Sequence, residues 1–553
     1  MKLGFIVWSI FGSLFGCSKE TDTTTEEPVV LIDPVPLEGS PLTSLKLARR
    51  ISLDLRGEYL SLDEVETIQN TPENLDQLID SWLETPAHKE QLIALFASMT
   101  LTKIDIFNVD HGDYYLDDSL SFEFVRSIGE EPVRLMAEIA TEDRPWTDLV
   151  TVDFSMANEL LLEIWDLEPV DSLPTEERPW VKAKFQDGRP AGGLISTNGL
   201  WWRHYTTPNN RSRSRSSFLT KLLVCDNHFT RETGPAPVLR ADVENVDAMA
   251  LEDPVCRTCH ITLDPVAAAL YGFWQHDIHD VLELETYHAE REWLGEQDLN
   301  IEMSWYGKPL ATPGELGLRI SEDERFLTCA VSSLAERLWR RPIVEDDQGR
   351  LQQLLFAFQD SELRYSALIK AILLSPEYQL GSADLSDPRA KSSAKITHPA
   401  QIASAVTELT GFVWMQDETL LLDNDEEGFR TLLGGIDGLM VNSWASEPSS
   451  SRQLTMKRFA QLAADYGVET AWETPSALEL FDQRSLLDVD SSSPEFQEIL
   501  EHLSLRISGE EINSEQISLH REMFSFIESS NGRKQAWKSL LSVLLRDSEA
   551  WIY

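Results

Sequence analysis

The residues best equipped for chemistry lie at Cys256-Arg257-Thr258-Cys259-His260. Two thiols separated by two residues can each take one vinyl group of a single porphyrin, and the imidazole directly after the second thiol is then aimed at the iron from the same side. At this composition such a pattern arises by chance in about one chain in a thousand, so its spacing points to c-type haem attachment. Other readings stay open. Zinc would need a second ligand pair, and Cys225 and Cys329 are isolated in the sequence. A redox dithiol, or a simple disulfide between Cys256 and Cys259, lacks the strand-helix setting of thioredoxin-like motifs and has no need of His260. With haem c as the cofactor, His260 is the proximal ligand. Met303, at a separation familiar from small cytochromes, is a candidate sixth ligand, beside Met249, His276 and His279.

The chain start bears on this chemistry, because haem is joined to such motifs after export. Lys2 precedes an apolar run from Leu3 to Phe15, too short to span a bilayer, which marks a signal peptide. Leu14-Phe15-Gly16-Cys17 resembles a bacterial lipobox, in which Cys17 becomes the acylated first residue. Each buried acyl methylene contributes about 0.8 kcal/mol, so two or more chains hold the protein firmly. Ser18 instead of Asp favours the outer membrane, and a plain secretory signal with an incidental Cys is the alternative. The expected product is an outer-membrane lipoprotein, periplasmic or surface-exposed.

Charge narrows the partners. Lys and Arg number 47 against 93 Asp and Glu, a formal net charge of −46. Such a surface repels phosphates and anionic headgroups, which excludes nucleic acid and leaves a basic redox protein and the lipid anchor as the expected associations. Two weaker signals follow. Asp423-Asn424-Asp425-Glu426-Glu427-Gly428 resembles half of a calcium loop, but position twelve is Gly434 where Glu is needed. Arg211, Arg213 and Arg215 form a basic island suited to haem propionates or to a solvated loop.

The elements that must position these groups read as mainly α. At 553 residues the chain divides into about three to five folded units. Residues 1–16 are the signal, 17–41 an acidic disordered tether rich in Thr, Glu and Pro, 42–170 an N-terminal helical domain, 171–310 the haem module, 311–385 a helical repeat domain and 396–553 a C-terminal helical domain. Strand-like stretches are few, Leu101 to Val109 being one. Asp264-Pro265 reads as a helix start, carrying Val266 to Leu270 and setting Phe273 and Trp274 near the porphyrin.

An internal repeat is visible. Leu334 to Pro342, an acidic start at Glu345 to Asp347, a helix through Leu351 and Phe358, and Leu368 to Tyr378 form one copy. Leu503 to Ile507, Glu510-Glu511, a helix through Ile517 and Phe526, and Leu540 to Glu549 form the second. A looser third copy runs over Leu47 to Leu55, Ser61 to Val65 and Leu78 to Pro86.

Leu194 to Thr197, Arg215, Phe218 to Cys225, the haem motif with Asp264-Pro265, Phe273, Phe326, Cys329 and Leu373 to Tyr378 together resemble the planctomycete-type cytochrome c multidomain proteins, large exported bacterial proteins. Arg49 to Gly57 is similar to the start of a related module. The resemblance covers residues 45–380 in patches and departs from the family at Ser216, Ala267 and Trp274. It implies a small cytochrome-c-like module among related helical repeats, with c-type haem and no settled activity. Cys225 and Cys329 match positions where that family tends to carry Cys, which in an exported protein implies a disulfide; two separate buried thiols are the alternative. The functional expectation is single-electron transfer. Its alternatives are a haem enzyme acting on peroxide or a small oxidant, and a surface scaffold with a vestigial haem module.

Overall fold

A recurring local sequence logic builds the helices. The first helix of each repeat ends in a left-handed residue: Gly57, Arg340 and Gly509, with φ of 67°, 56° and 71°. Four residues on, each chain starts a new helix or helical turn at Ser61, Val344 or Asn513. In all three, the side chain three further along accepts the backbone N–H of that residue: Glu64 at 2.9 Å, Asp347 at 2.9 Å and Gln516 at 3.0 Å. This is the reciprocal half of a capping box, which satisfies a donor the helix start would otherwise orphan. A later short-range cap, Thr85, Ser375 or Asp547, opens the last helix of each copy.

The computed structural model describes residues 31–142, 144–171, 179–207, 209–230, 253–384, 386–481 and 484–553. Cys17, Met249, the signal segment and most of the tether lie outside them. Helices of nine or more residues are labelled α1 (Ser44–Arg56), α2 (Leu62–Asn70), α3 (Leu75–Leu83), α4 (Pro86–Thr100), α5 (Ser121–Thr141), α6 (Arg213–Val224), α7 (Pro254–Ala268) and α8 (Glu324–Trp339). They continue as α9 (Gln348–Asp360), α10 (Tyr365–Leu373), α11 (Pro399–Thr410), α12 (Ser450–Glu473), α13 (Pro494–Ser508), α14 (Ser514–Asn531) and α15 (Arg533–Leu544). With 61% helix and 6% strand the protein is mainly α. A small antiparallel sheet sets Val181–Phe185 between Ser155–Ala157 and Leu167–Pro169, and Gly39–Pro41 pairs with Leu380–Ala383.

Leu101 to Val109 is not a strand. Leu101 turns left-handed to end α4, the Arg203 guanidinium takes its carbonyl, and the Thr102 hydroxyl donates to the Gly129 carbonyl. The segment's apolar residues Ile104, Phe107 and Val109 instead fill a cluster around Trp202 and Phe124. Its alternating pattern is satisfied by burial rather than by a neighbouring strand.

Among the described residues the largest core runs from Leu47 to Tyr378, drawing on α1, α5, α6, α7 and α8 alike. A second joins α11 to α15, with Leu53 and Tyr59 inserted from the N-terminal copy. Helix α1 therefore faces both. Consecutive arginines on it reach the ends of the two later repeats: Arg50 donates to the carbonyls of Tyr378 and Leu380, and Arg49 to those of Glu549 and Ala550.

Candidate functional site

Helix α7 carries the Cys-x-x-Cys-His motif, and its start differs from the expected one. Asp253 caps it, accepting from the N–H groups of Val255 and Cys256, with Pro254 at the first position. The helix then continues through Pro265, so Asp264-Pro265 lies inside it. Both Asp-Pro pairs carry the same start signal. The earlier one starts the helix, and the Asp264 carboxylate binds His260 and Arg213 instead.

Cys256, Cys259 and His260 are spaced i, i+3 and i+4, so they share one face of α7. All three are partly exposed, and the two thiols are unbridged. His260 Nδ1 lies 2.9 Å from Oδ1 of the buried Asp264, and Arg213 Nε donates to that oxygen at 2.7 Å while its second nitrogen reaches Oδ2 at 3.1 Å. Burial pushes the Asp264 carboxyl up, but His260 and Arg213 outweigh it and hold the group below its ordinary range. An ionised Asp264 fixes the imidazole proton on Nδ1 and leaves the Nε2 lone pair for a metal, an arrangement that also makes the ring a stronger donor. Two unbridged thiols and an imidazole so oriented, on one half-exposed face, are a donor set that fits a c-type haem. The Cys256 thiol is pushed up, by burial and then by Asp253, which is the wrong direction for an activated redox thiolate.

The neighbourhood is built by α6 and the disulfide. Cys225 ends α6 in a left-handed conformation, and its sulfur stands 2.08 Å from that of Cys329 on α8. Three residues later His228 is buried, with Nδ1 3.3 Å from the Thr220 hydroxyl and its carbonyl 3.9 Å from Cys259 Sγ. No motif spacing announces His228; it reaches Cys259 only because the chain turns back after α6.

The other residues singled out fall elsewhere. Met303 is buried in the main core, and the segment around it borders a surface recess of about 650 Å³ also lined by Ile261, Thr262 and Pro265. At about 100° per residue those three sit on the face of α7 opposite Cys256 and His260. His276 and His279 are exposed, the first beside Trp274 and the second with Nδ1 3.0 Å from the Asn108 carbonyl. Within the basic island Arg215 is fully buried and binds the His204, Phe273 and Trp201 carbonyls, so it staples the module internally. Burial brings its pKa down to about 9. Arg211 donates to the Asp298 carbonyl, and Arg213 holds Asp264.

The calcium-like loop spends its ligands internally. Asp423 pairs with Lys103 at 2.8 Å, and Asp425 accepts from the backbone and hydroxyl of Thr431 and pairs with Arg430. Among the described residues, no group of three or more His, Cys, Asp and Glu side chains could hold a metal ion, and no helix is long and apolar enough to cross a membrane. No protein-family model, curated protein or solved structure matches the chain.

Proposed function

We propose that this chain is an exported lipoprotein that carries one covalently attached haem c and passes single electrons to a protein partner. The observation that carries the reading is the common face of Cys256, Cys259 and His260, with the imidazole tethered through Nδ1 to the Asp264–Arg213 pair. Cys256 and Cys259 would hold the haem through thioethers, and His260 Nε2 would bind its iron. When bound, haem supplies reversible one-electron chemistry. The chain's own contribution is positional: Asp264 holds the Nδ1 proton and the ring plane, Arg213 keeps Asp264 ionised, and Cys225 with Cys329 fixes the α6 end beside Cys259. The acidic surface favours a basic redox partner, and Cys17 is the point of lipidation at the outer membrane.

Protein produced in a host competent for cytochrome c maturation is expected to keep its haem through denaturing electrophoresis. Peroxidase staining of the band should vanish in the Cys256→Ala/Cys259→Ala variant. An unstained wild-type band from that host refutes the proposal.

A further inference from the structure

A cleft of about 540 Å³ opens where α4 and α5 meet α11 and the 411–445 segment, away from the haem motif. Ile93, Ala97, Ala403, Trp414, Leu422 and Phe459 give it a broad apolar wall, large enough for a fused-ring molecule. Its cations are already matched. Lys103 pairs with Glu130 at 3.1 Å and Asp423 at 2.8 Å, Arg126 with Glu130 at 2.8 Å, and Arg430 with Asp105 and Asp425, both at 3.1 Å. An anionic guest would find no cation on this lining without a carboxylate against it.

The other carboxylates of the lining are less well matched. Glu58, Glu90 and Glu408 also line the cleft, and two of them share their cation. Arg56, 3.5 Å from Glu58, is closer to Glu64 at 3.0 Å, and Arg134, 3.2 Å from Glu90, is closer to Glu130 at 2.7 Å. Glu408 pairs with Arg506 at 2.7 Å. Burial raises the pKa of both Glu58 and Glu408, and each result includes repulsion from a neighbouring carboxylate.

Between them sits Gln91, 6% exposed, whose Oε1 is buried without a hydrogen-bond partner. Its amide nitrogen lies so close to Gly57 that an added Cβ there would meet it at 2.3 Å, and the same Cβ would touch Ser404, one turn before Glu408. Gln91, Glu58 and the Glu408 face of α11 therefore converge around Gly57. A buried amide oxygen left unmatched is unfavourable, and a donor from a guest would satisfy it.

We propose that this cleft binds an organic amine, with an apolar ring body against the α4, α11 and α12 wall and an ammonium whose N–H donors meet Gln91 Oε1 and the carboxylates of Glu58 and Glu408. The site is independent of the haem reading.

Titration calorimetry of the full chain with 2-naphthylmethylamine, 2-naphthalenemethanol and 2-naphthaleneacetate tests the assignment, because the three share a ring and differ in head group. The amine is expected to bind about tenfold tighter than the alcohol, and the carboxylate weakest. Gln91→Leu and Glu408→Gln should each weaken the amine about tenfold while sparing the alcohol, and Ala403→Trp, which fills the cleft, should abolish both. Glu58→Gln serves in place of either variant that loses its native circular dichroism. No amine binding by the folded wild type, equal affinity for amine and carboxylate, or amine binding that survives Ala403→Trp overturns the proposal.

Discussion

At the scale of single residues, a buried carboxylate on α5 shapes how stability responds to pH. Cys256, Cys259 and His260 stand out because five consecutive positions determine the chemistry. Glu131 gives no such signal, although it is fully buried on α5, accepting from Gly199 N–H at 2.7 Å and the Ser155 hydroxyl at 2.7 Å. Burial outweighs these bonds and raises its pKa from 4.5 to about 7. Between those values the folded chain holds a proton that the unfolded chain has released. The associated stability is complete below pH 4.5 and is lost as pH rises to 7. At 1.36 kcal/mol per unit the loss is about 3 kcal/mol. Urea denaturation of the wild type is therefore expected to show a stability decline between pH 5 and pH 7.5 that Glu131→Gln flattens; identical pH slopes in the two proteins would dismiss the effect. His228 and Gln91 were illegible for the same reason, since each acquires its role from elements distant in sequence.

At the scale of elements, periodicity reveals helices but cannot decide which of two equivalent start signals is used. Asp253-Pro254 and Asp264-Pro265 are alike in sequence, but Asp253 caps the helix while the Asp264 carboxylate is held by His260 and by Arg213, 51 residues upstream. Leu101 to Val109 shows the converse, an alternating pattern that finds buried neighbours and no strand partner. The link between α6 and α8 lies at this scale too. Cys225 and Cys329 have Cα atoms 5.3 Å apart across 104 residues of chain. In the chain-entropy model, closing so long a loop restricts the unfolded state by roughly 4 to 5 kcal/mol. Non-reducing peptide mapping should return one linked pair containing both residues. The Cys225→Ser/Cys329→Ser variant should melt earlier and expose Cys259 to alkylation faster, because the turn that carries His228 against it is no longer pinned. Recovery of both cysteines as free thiols from freshly exported protein would defeat the clamp.

At the scale of the whole molecule, the repeats were legible as patterns, while their arrangement around α1 was not. The shared four-residue step from a left-handed helix end to a new cap is local chemistry, repeated at Gly57, Arg340 and Gly509. What joins the copies is a buried polar cluster made from all three. Asp54 receives hydrogen bonds from the Tyr378 hydroxyl, the Tyr553 hydroxyl, Lys395 Nζ and Gln401 Nε2. Tyr378 closes one repeat and Tyr553 lies four residues past the other, so a single carboxylate on α1 reads both ends. Burial raises the Asp54 pKa, but Lys395, Arg340 and these hydrogen bonds bring it down to about 2. Its contribution is present above pH 4 and is lost as pH falls toward 2. Burial already brings the Lys395 pKa down to about 7 with Asp54 beside it, so in Asp54→Asn the amine sheds its proton and the cluster loses its charged acceptor; the variant should be destabilised at neutral pH and lose part of the acid sensitivity between pH 4 and pH 2. Arg49→Ala makes a sharper test. Arg49 donates to the Ile507, Glu549 and Ala550 carbonyls, all in the last repeat, whereas Arg50 holds the middle one. Cutting only the former should uncouple the core of α11 to α15 from the larger core, so calorimetry should resolve an early transition and limited proteolysis should cleave first in the 384–395 connection. A lysine at position 49 should rescue little, because one ammonium cannot reproduce a planar fork that reaches three carbonyls at once. If Arg49→Ala instead melts in one step at a lowered temperature, α1 acts as part of one indivisible core and the two clusters unfold together.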